Sequence, residues 1–205
     1  MSLVENKRID VAGINFDREP FIQRTSIEGF LLIRRPQYAD GRGAFQEIAR
    51  IPDISEALGR EIVIRQTQRS RSMGHVLRGI HAEPQDKLIT PYTGKMVAVI
   101  VDLDPKSPTF LSWLMLGFDN TEENCSKTTM FLREGLGNSM CVIGTDPVEY
   151  VYGVSKIYDP GTAGEGVRYN DPSLAIPWPI SNPVVSNRDR NLPDLVRFLE
   201  QKTHG

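Results

Sequence analysis

The chain is poor in the residues that announce redox, metal or membrane chemistry. Only two of its 205 residues are cysteine, Cys125 and Cys141, too few for a disulfide framework and without metal-ligand spacing. Both read as ordinary thiols, with Cys141 expected inside a strand. Neither sign of charge is in excess: 24 Lys plus Arg stand against 26 Asp plus Glu, a formal net charge of −2. No global field therefore draws the protein to nucleic acid or anionic lipid, and any anion site must be local. No apolar run approaches the roughly 20 residues that cross a bilayer. The opening MSLVENKRID lacks the apolar core of a signal peptide, so a cytoplasmic location is the default expectation. There is no internal repeat and no low-complexity tract.

What remains is enough for a core. Hydrophobic residues make up 40% of the chain, in short β-branched runs divided by turn signals. Strands are expected over residues 29–35, 61–68, 75–81, 95–103, 110–117, 128–132, 139–144 and 148–155, an all-β pattern of the sandwich or barrel type. Punctuation such as Asp104-Pro-Lys-Ser-Pro108 and Asp159-Pro-Gly161 favours tight connections over long helices. Two helices are expected as coverings of the sheet, over 52–58 and 192–202. The organisation that follows is a polar N-terminal arm over 1–20 that could cross to a neighbour in a dimer, a domain over 21–191 and a C-terminal helix and tail over 192–205.

The most informative stretch is His75-Val-Leu-Arg-Gly-Ile-His81, followed six residues later by Lys87. A histidine titrates near neutral pH, and it can take a proton from carbon only if a nearby cation stabilises the enolate that forms. Arg78, His81 and Lys87 supply these types. Strand alternation sends Leu77, Gly79 and His81 to one face and Arg78 to the other, unless a bulge at Gly79 intervenes. Tyr150 and Tyr152 share one face of a later strand, where a tyrosine could donate a proton from opposite the histidine.

Taken together, several segments resemble the family of nucleotide-4-keto-6-deoxyhexose epimerases typified by dTDP-4-dehydrorhamnose 3,5-epimerase. They are Asp40-Gly-Arg-Gly-Ala-Phe-Gln-Glu47, Val76-Leu-Arg-Gly-Ile-His81, Gln85-Asp-Lys-Leu88, Val101-Asp102 with Ser107-Pro-Thr-Phe110, Glu149-Tyr-Val-Tyr152, Asn170-Asp-Pro172, Trp178-Pro179 and Ser186-Asn-Arg-Asp189. Their order and spacing carry the resemblance, which runs from about Phe21 to Leu195. It implies a cupin-type jelly roll and a cofactor-independent isomerase. His81 would be the general base, Asp189 its orienting carboxylate, Lys87 the cation beside the sugar keto oxygen and Tyr152 the proton donor on the opposite face. Contacts to the nucleotide sugar would come from Arg42, Glu47, Gln66, Gln68, Arg78, Asn138 and Arg188. The reaction implied is removal of a proton alpha to the C4 ketone and its return from the other side, at C3, C5 or both.

Two departures qualify the match. The family carries a histidine where Gly135-Leu-Gly-Asn-Ser-Met140 places Asn138, which can hydrogen-bond but cannot titrate near neutral pH. The spacing also shifts at Gly161-Thr-Ala-Gly-Glu-Gly166, where the family's glutamate contact is either Glu165 or lost.

Each residue also has a plainer reading. Alone, His81 would be a structural histidine, Lys87 a solvated lysine, Tyr152 a cross-strand aromatic and Asp189 a turn cap. With three histidines in the chain, His204 terminal and His75 in no cluster, no metal and no other cofactor is expected. The expected ligand is a nucleotide sugar, and the expected assembly a homodimer. Two other readings stay open: a sugar-nucleotide 3,4-ketoisomerase, and a sugar-nucleotide-binding module without catalysis.

Overall fold

The computed structural model describes residues 6–16, 18–122, 125–159 and 165–203. In chain order the strands are β1 (Lys7–Asp10), β2 (Ile22–Arg24), β3 (Phe30–Ile33), β4 (Gln37–Asp40), β5 (Gly43–Gln46), β6 (Gln66–Ser72) and β7 (Leu77–His81). They continue as β8 (Lys87–Pro91), β9 (Gly94–Asp102), β10 (Trp113–Asn120), β11 (Thr129–Leu132), β12 (Leu136–Val142), β13 (Val148–Val154) and β14 (Gly166–Val167). Three short α-helices, α1 (Ile51–Leu58), α2 (Asn187–Arg190) and α3 (Leu195–Thr203), and one 3-10 turn at Val11–Gly13 complete the described elements.

The strands form two six-stranded sheets, ordered β1-β10-β9-β12-β7-β14 and β2-β3-β11-β8-β13-β6, and a separate hairpin of β4 and β5. Packed face to face, the sheets make a jelly roll of the cupin type. Apart from the parallel pairing of β1 with β10, the ladders are antiparallel.

Period-2 alternation explains the packing. In β9, Met96, Ala98 and Ile100 point between the sheets, against Phe30, Leu32, Met130 and Leu132. The intervening Val97, Val99 and Val101 join a second cluster on the outer face, closed by Leu195 and Phe198 of α3. A third cluster, Leu31, Ile33, Phe131 and Ile62 with Ile54 of α1, covers the outer face of the other sheet. The central strands are thus buried on both faces, which is why they read as continuous apolar runs.

The structure departs from the sequence reading in several places. The strand expected over 61–68 is β6, which starts at Gln66. Ile62 and Ile64 drew the expectation forward, but they pack beside α1 rather than in the ladder. The strand itself, Gln-Thr-Gln-Arg-Ser-Arg-Ser, has no apolar face to betray it. β10 runs three residues later than expected, because the 102–112 segment closes on itself through Asp102 instead of pairing. β8, flanked by turns and ended by Pro91, has no counterpart among the expected strands. The arm expected over 1–20 contains β1, laid along β10 of the same chain, and Val11 beyond it joins the core. α3 begins at Leu195, past Pro193, with the Asp194 carboxylate accepting from Arg197 N at 2.9 Å. His204 and residues 160–164 of the altered loop lie outside the described residues.

The Val101-Asp102…Phe110 motif is structural. Fully buried Asp102 accepts from Thr109 Oγ1 at 2.6 Å, from Asp104 N at 3.1 Å, from Ser107 Oγ, and from Arg133 Nη2 at 3.2 Å on both oxygens. Removing one member of a buried charged network strands the others. Asp102→Ala should therefore lower unfolding stability by about 3–5 kcal/mol in urea titration, and a loss under about 1 kcal/mol would contradict this role.

Candidate active site

The site is set by an irregularity in β7. His81 pairs with Asn138 of β12, but two residues further along β12, Met140 pairs with Arg78 rather than Gly79. β7 thus spends one extra residue there, a bulge around Gly79 and Ile80. The extra residue reverses the alternation: Leu77 and Ile80 both enter the outer cluster, while Arg78 and His81 both line one pocket between the sheets.

The bulge also leaves the Gly79 N–H outside the ladder, where it donates to Asp189 Oδ2 at 2.9 Å. The other carboxylate oxygen, Oδ1, lies 2.8 Å from His81 Nε2. Asp189 reaches this position from α2, whose N-cap is Ser186: its hydroxyl accepts from Asp189 N at 3.1 Å. A Cβ on residue 79 would meet Asp189 Cβ at 3.1 Å and Cγ at 3.3 Å, so the approach favours glycine. Burial pushes the Asp189 carboxyl up, but the hydrogen bonds from His81 and Gly79 outweigh it and hold it below the ordinary range. An ionised carboxylate fixes the imidazole proton on Nε2 and leaves Nδ1 as the free base.

The facing sheet supplies the rest. Lys87, buried at the start of β8, donates from Nζ to Glu83 Oε2 and Asn138 Oδ1, both at 2.6 Å, and to the His81 carbonyl at 3.1 Å. Tyr152 on β13 donates its hydroxyl to Gln68 Oε1 of β6 at 2.8 Å. Burial, then Tyr150 and Glu83, raise the Tyr152 phenol above its ordinary value, so it keeps its proton at neutral pH. The pocket encloses about 210 Å³ and places a histidine on one sheet opposite a protonated tyrosine on the other.

A family model described as dTDP-4-dehydrorhamnose 3,5-epimerase matches residues 24–197. The chain belongs to this family. The dTDP-4-dehydrorhamnose 3,5-epimerase of Shigella flexneri is 34% identical over 172 residues, covering 82% of this chain and 92% of the relative. The dTDP-4-dehydrorhamnose 3-epimerase of Streptomyces niveus is 37% identical over 169 residues, covering 80% and 79%. Among solved structures, NovW, a 4-keto-6-deoxy sugar epimerase from the novobiocin biosynthetic gene cluster of Streptomyces spheroides, superposes with a TM-score of 0.80. It is 34% identical, and the match covers 88% of this chain and 90% of NovW.

Of the residues expected at a site from the family resemblance, His81, Lys87, Tyr152, Gln68, Arg78, Asn138 and Arg188 line the pocket, with Asp189 directly behind His81. Three expected substrate contacts lie outside it. Arg42 is at the tip of the β4–β5 hairpin, paired with Asp40 at 2.5 Å. Glu47 is engaged by Arg35 at 2.9 Å and by Arg50 at 2.9 Å. Gln66 opens β6, and its side chain accepts from Tyr158 N at 2.7 Å. Glu165, the candidate for the family's glutamate contact, turns away from the pocket to pair with Lys202 of α3. Several pocket residues had no sequence signal: Ser70, Lys156 and Tyr158 among them, and Glu83, which only its spacing of four from Lys87 could have marked. Cys141 is buried, and burial pushes its thiol up to about 11. Among the described residues no group of histidine, cysteine and carboxylate side chains could hold a metal.

The dyad can be tested directly. A hydrogen bond to a charged carboxylate is worth about 1.5–3 kcal/mol, enough for a tautomer preference of at least about tenfold. Ring ¹⁵N NMR of the neutral imidazole should show His81 protonated at Nε2. In Asp189→Ala the preference should collapse to a mixture, and in Gly79→Ala it should weaken. An unchanged tautomer in Asp189→Ala would remove Asp189 from this role.

Proposed function

We propose that the chain is an epimerase of a dTDP-linked 4-keto-6-deoxyhexose, acting at C3, C5 or both in deoxysugar biosynthesis. The observation that carries the reading is the His81–Asp189 dyad at 2.8 Å on one sheet, with Tyr152 facing the same cavity from the other. The names of the relatives support the substrate class.

The chemistry follows from the charges. A proton alpha to a ketone becomes removable when the charge developing on the keto oxygen meets a cation in a water-poor site. Lys87 is that cation. His81 takes the proton through Nδ1, and Asp189 stabilises the imidazolium that results. A sugar ring between the sheets then exposes its other face to Tyr152, whose phenol delivers a proton there and inverts the centre. Because C3 and C5 both flank the C4 ketone, the same pair of groups can serve either carbon. The enclosed volume suits the hexose ring, so the nucleotide would lie on the rim near Arg78 and Arg188, where guanidinium groups suit phosphate.

We further propose a cytoplasmic homodimer. The hairpin projects Tyr38 and Phe45 as an exposed cross-strand pair, 67% and 65% accessible, with Arg42 at its tip. Docked on a second copy, it would bring Arg42 toward a pocket that its own chain does not share with it. Sedimentation should give twice the mass of one chain, and Tyr38→Ser with Phe45→Ser should yield monomers. A wild-type mass of one chain would discard the dimer.

The activity is checked by incubation with dTDP-4-keto-6-deoxyglucose in deuterated water. Deuterium should enter C3, C5 or both, and His81→Ala should slow this by about 10²–10⁴-fold. Tyr152→Phe should retain exchange and lose inversion. A ketone found at C3 instead would establish a 3,4-ketoisomerase, and tight binding without exchange of any 4-keto sugar nucleotide would establish a binding module.

A further inference from the structure

Lys87 is an ammonium with no donor to spare. Its three N–H groups point at the His81 carbonyl, the Asn138 amide oxygen and the Glu83 carboxylate, and its cross-strand neighbours Leu132 and Val154 are apolar. Of these acceptors only Glu83 carries charge. Its second oxygen, Oε1, lies 3.5 Å from Arg188 Nη2 of α2, so one carboxylate ties the cation of β8 to the helix that carries Asp189.

We propose that Glu83 is a positioning residue of the reaction, holding the buried Lys87 ammonium charged and aimed at the substrate keto oxygen. This role rests on the epimerase reading given above. Burial acts to discharge Lys87, driving its pKa below the ordinary lysine value, and the Arg188 charge pushes the same way; Glu83 is the group that opposes them. The exchange works in both directions. Burial raises the Glu83 carboxyl, yet the Lys87 charge and hydrogen bond hold it below the ordinary carboxylate range.

His81 and Arg78 from β7, Tyr150 and Tyr152 from β13, Arg188 from α2, and Lys156, Tyr158 and Asp159 from the segment after β13 line the same pocket, while β12 presents the neutral Asn138. The sign is fixed by linkage. Lys87 is a cation below its pKa, Glu83 raises that pKa, and removing the Glu83 charge brings it down.

The test pairs a direct titration with a rate profile. Protein labelled with ¹³C at lysine Cε, with Lys87 assigned by difference against Lys87→Arg, gives the Lys87 midpoint by NMR. Solvent exchange into dTDP-4-keto-6-deoxyglucose gives the rate. Exchange is read in the Tyr152→Phe background, which removes that phenol from the basic limb. In Glu83→Gln, which keeps an acceptor oxygen but not the charge, the Lys87 midpoint should fall by about one to three pH units. The basic limb of exchange should fall with it. Glu83→Asp, keeping the charge, should return both most of the way. If Glu83→Gln lowers exchange uniformly and leaves midpoint and limb in place, Glu83 is structural and the proposal is overturned. If the wild type exchanges nothing, the epimerase reading and this role fall together.

Discussion

The site depends on one extra residue in β7. Without the bulge around Gly79, Arg78 and His81 would face opposite sides of the sheet, and one of them would be lost to the outer cluster. The same distortion frees the Gly79 N–H, and that donor holds Asp189 where its second oxygen meets His81. A bulge normally leaves backbone polar groups to be satisfied elsewhere. Here the satisfying group is the carboxylate that also bonds the His81 ring, so repair of the ladder and assembly of the dyad are a single event. The missing side chain at residue 79 is what allows α2 to come close enough.

Polar residues at a sandwich interior are costly unless each finds a partner. The pocket meets this condition through pairs that join the two sheets rather than through solvent. Lys87 on one sheet donates to Asn138 and to the His81 carbonyl on the other. Within a sheet, Tyr152 leans on Gln68. The cost of a polar interior is offset by the clusters on both outer faces, where α1 and α3 cover the sheets. Helices that never touch the pocket therefore hold the walls that define it.

This division explains what could be read from the sequence. Strands with apolar faces, such as β9 and β11, stood out because burial on both sides leaves runs of Val, Ile and Met. β6 was read only over its first residues, 66–68, and β8 not at all, and both border the pocket: Gln68 and Ser70 replace the apolar face of β6, and Lys87 opens β8. The dyad itself was legible only through the resemblance, since 108 residues separate His81 from Asp189. Gly79 carried a weak local signal of a bulge, which the pairing of Met140 with Arg78 makes concrete. Glu83 carried almost none, because a glutamate in a turn is ordinarily a solvated one. Expected contacts at Arg42 and Glu47 placed residues by family position, whereas the hairpin directs them away from their own chain's pocket.

The saturation of Lys87 also gives Asn138 a meaning beyond that of a substituted histidine. A keto oxygen that approaches the ammonium must replace one of its three acceptors. Displacing Glu83 would separate the ion pair that offsets the burial of Lys87 and leave the carboxylate only Arg188, at 3.5 Å. Displacing the His81 carbonyl would require β7 itself to move, and with it the dyad. The Asn138 oxygen is neutral, sits on a rotatable side chain, and belongs to an amide whose other end is a donor. Its rotation would exchange an acceptor for a donor at the moment negative charge develops on the keto oxygen. On the proposed reaction Asn138 would therefore be the partner that a keto oxygen replaces at least cost, and the change from acceptor to donor would add stabilisation to the enolate that the ground-state ketone calls on only weakly.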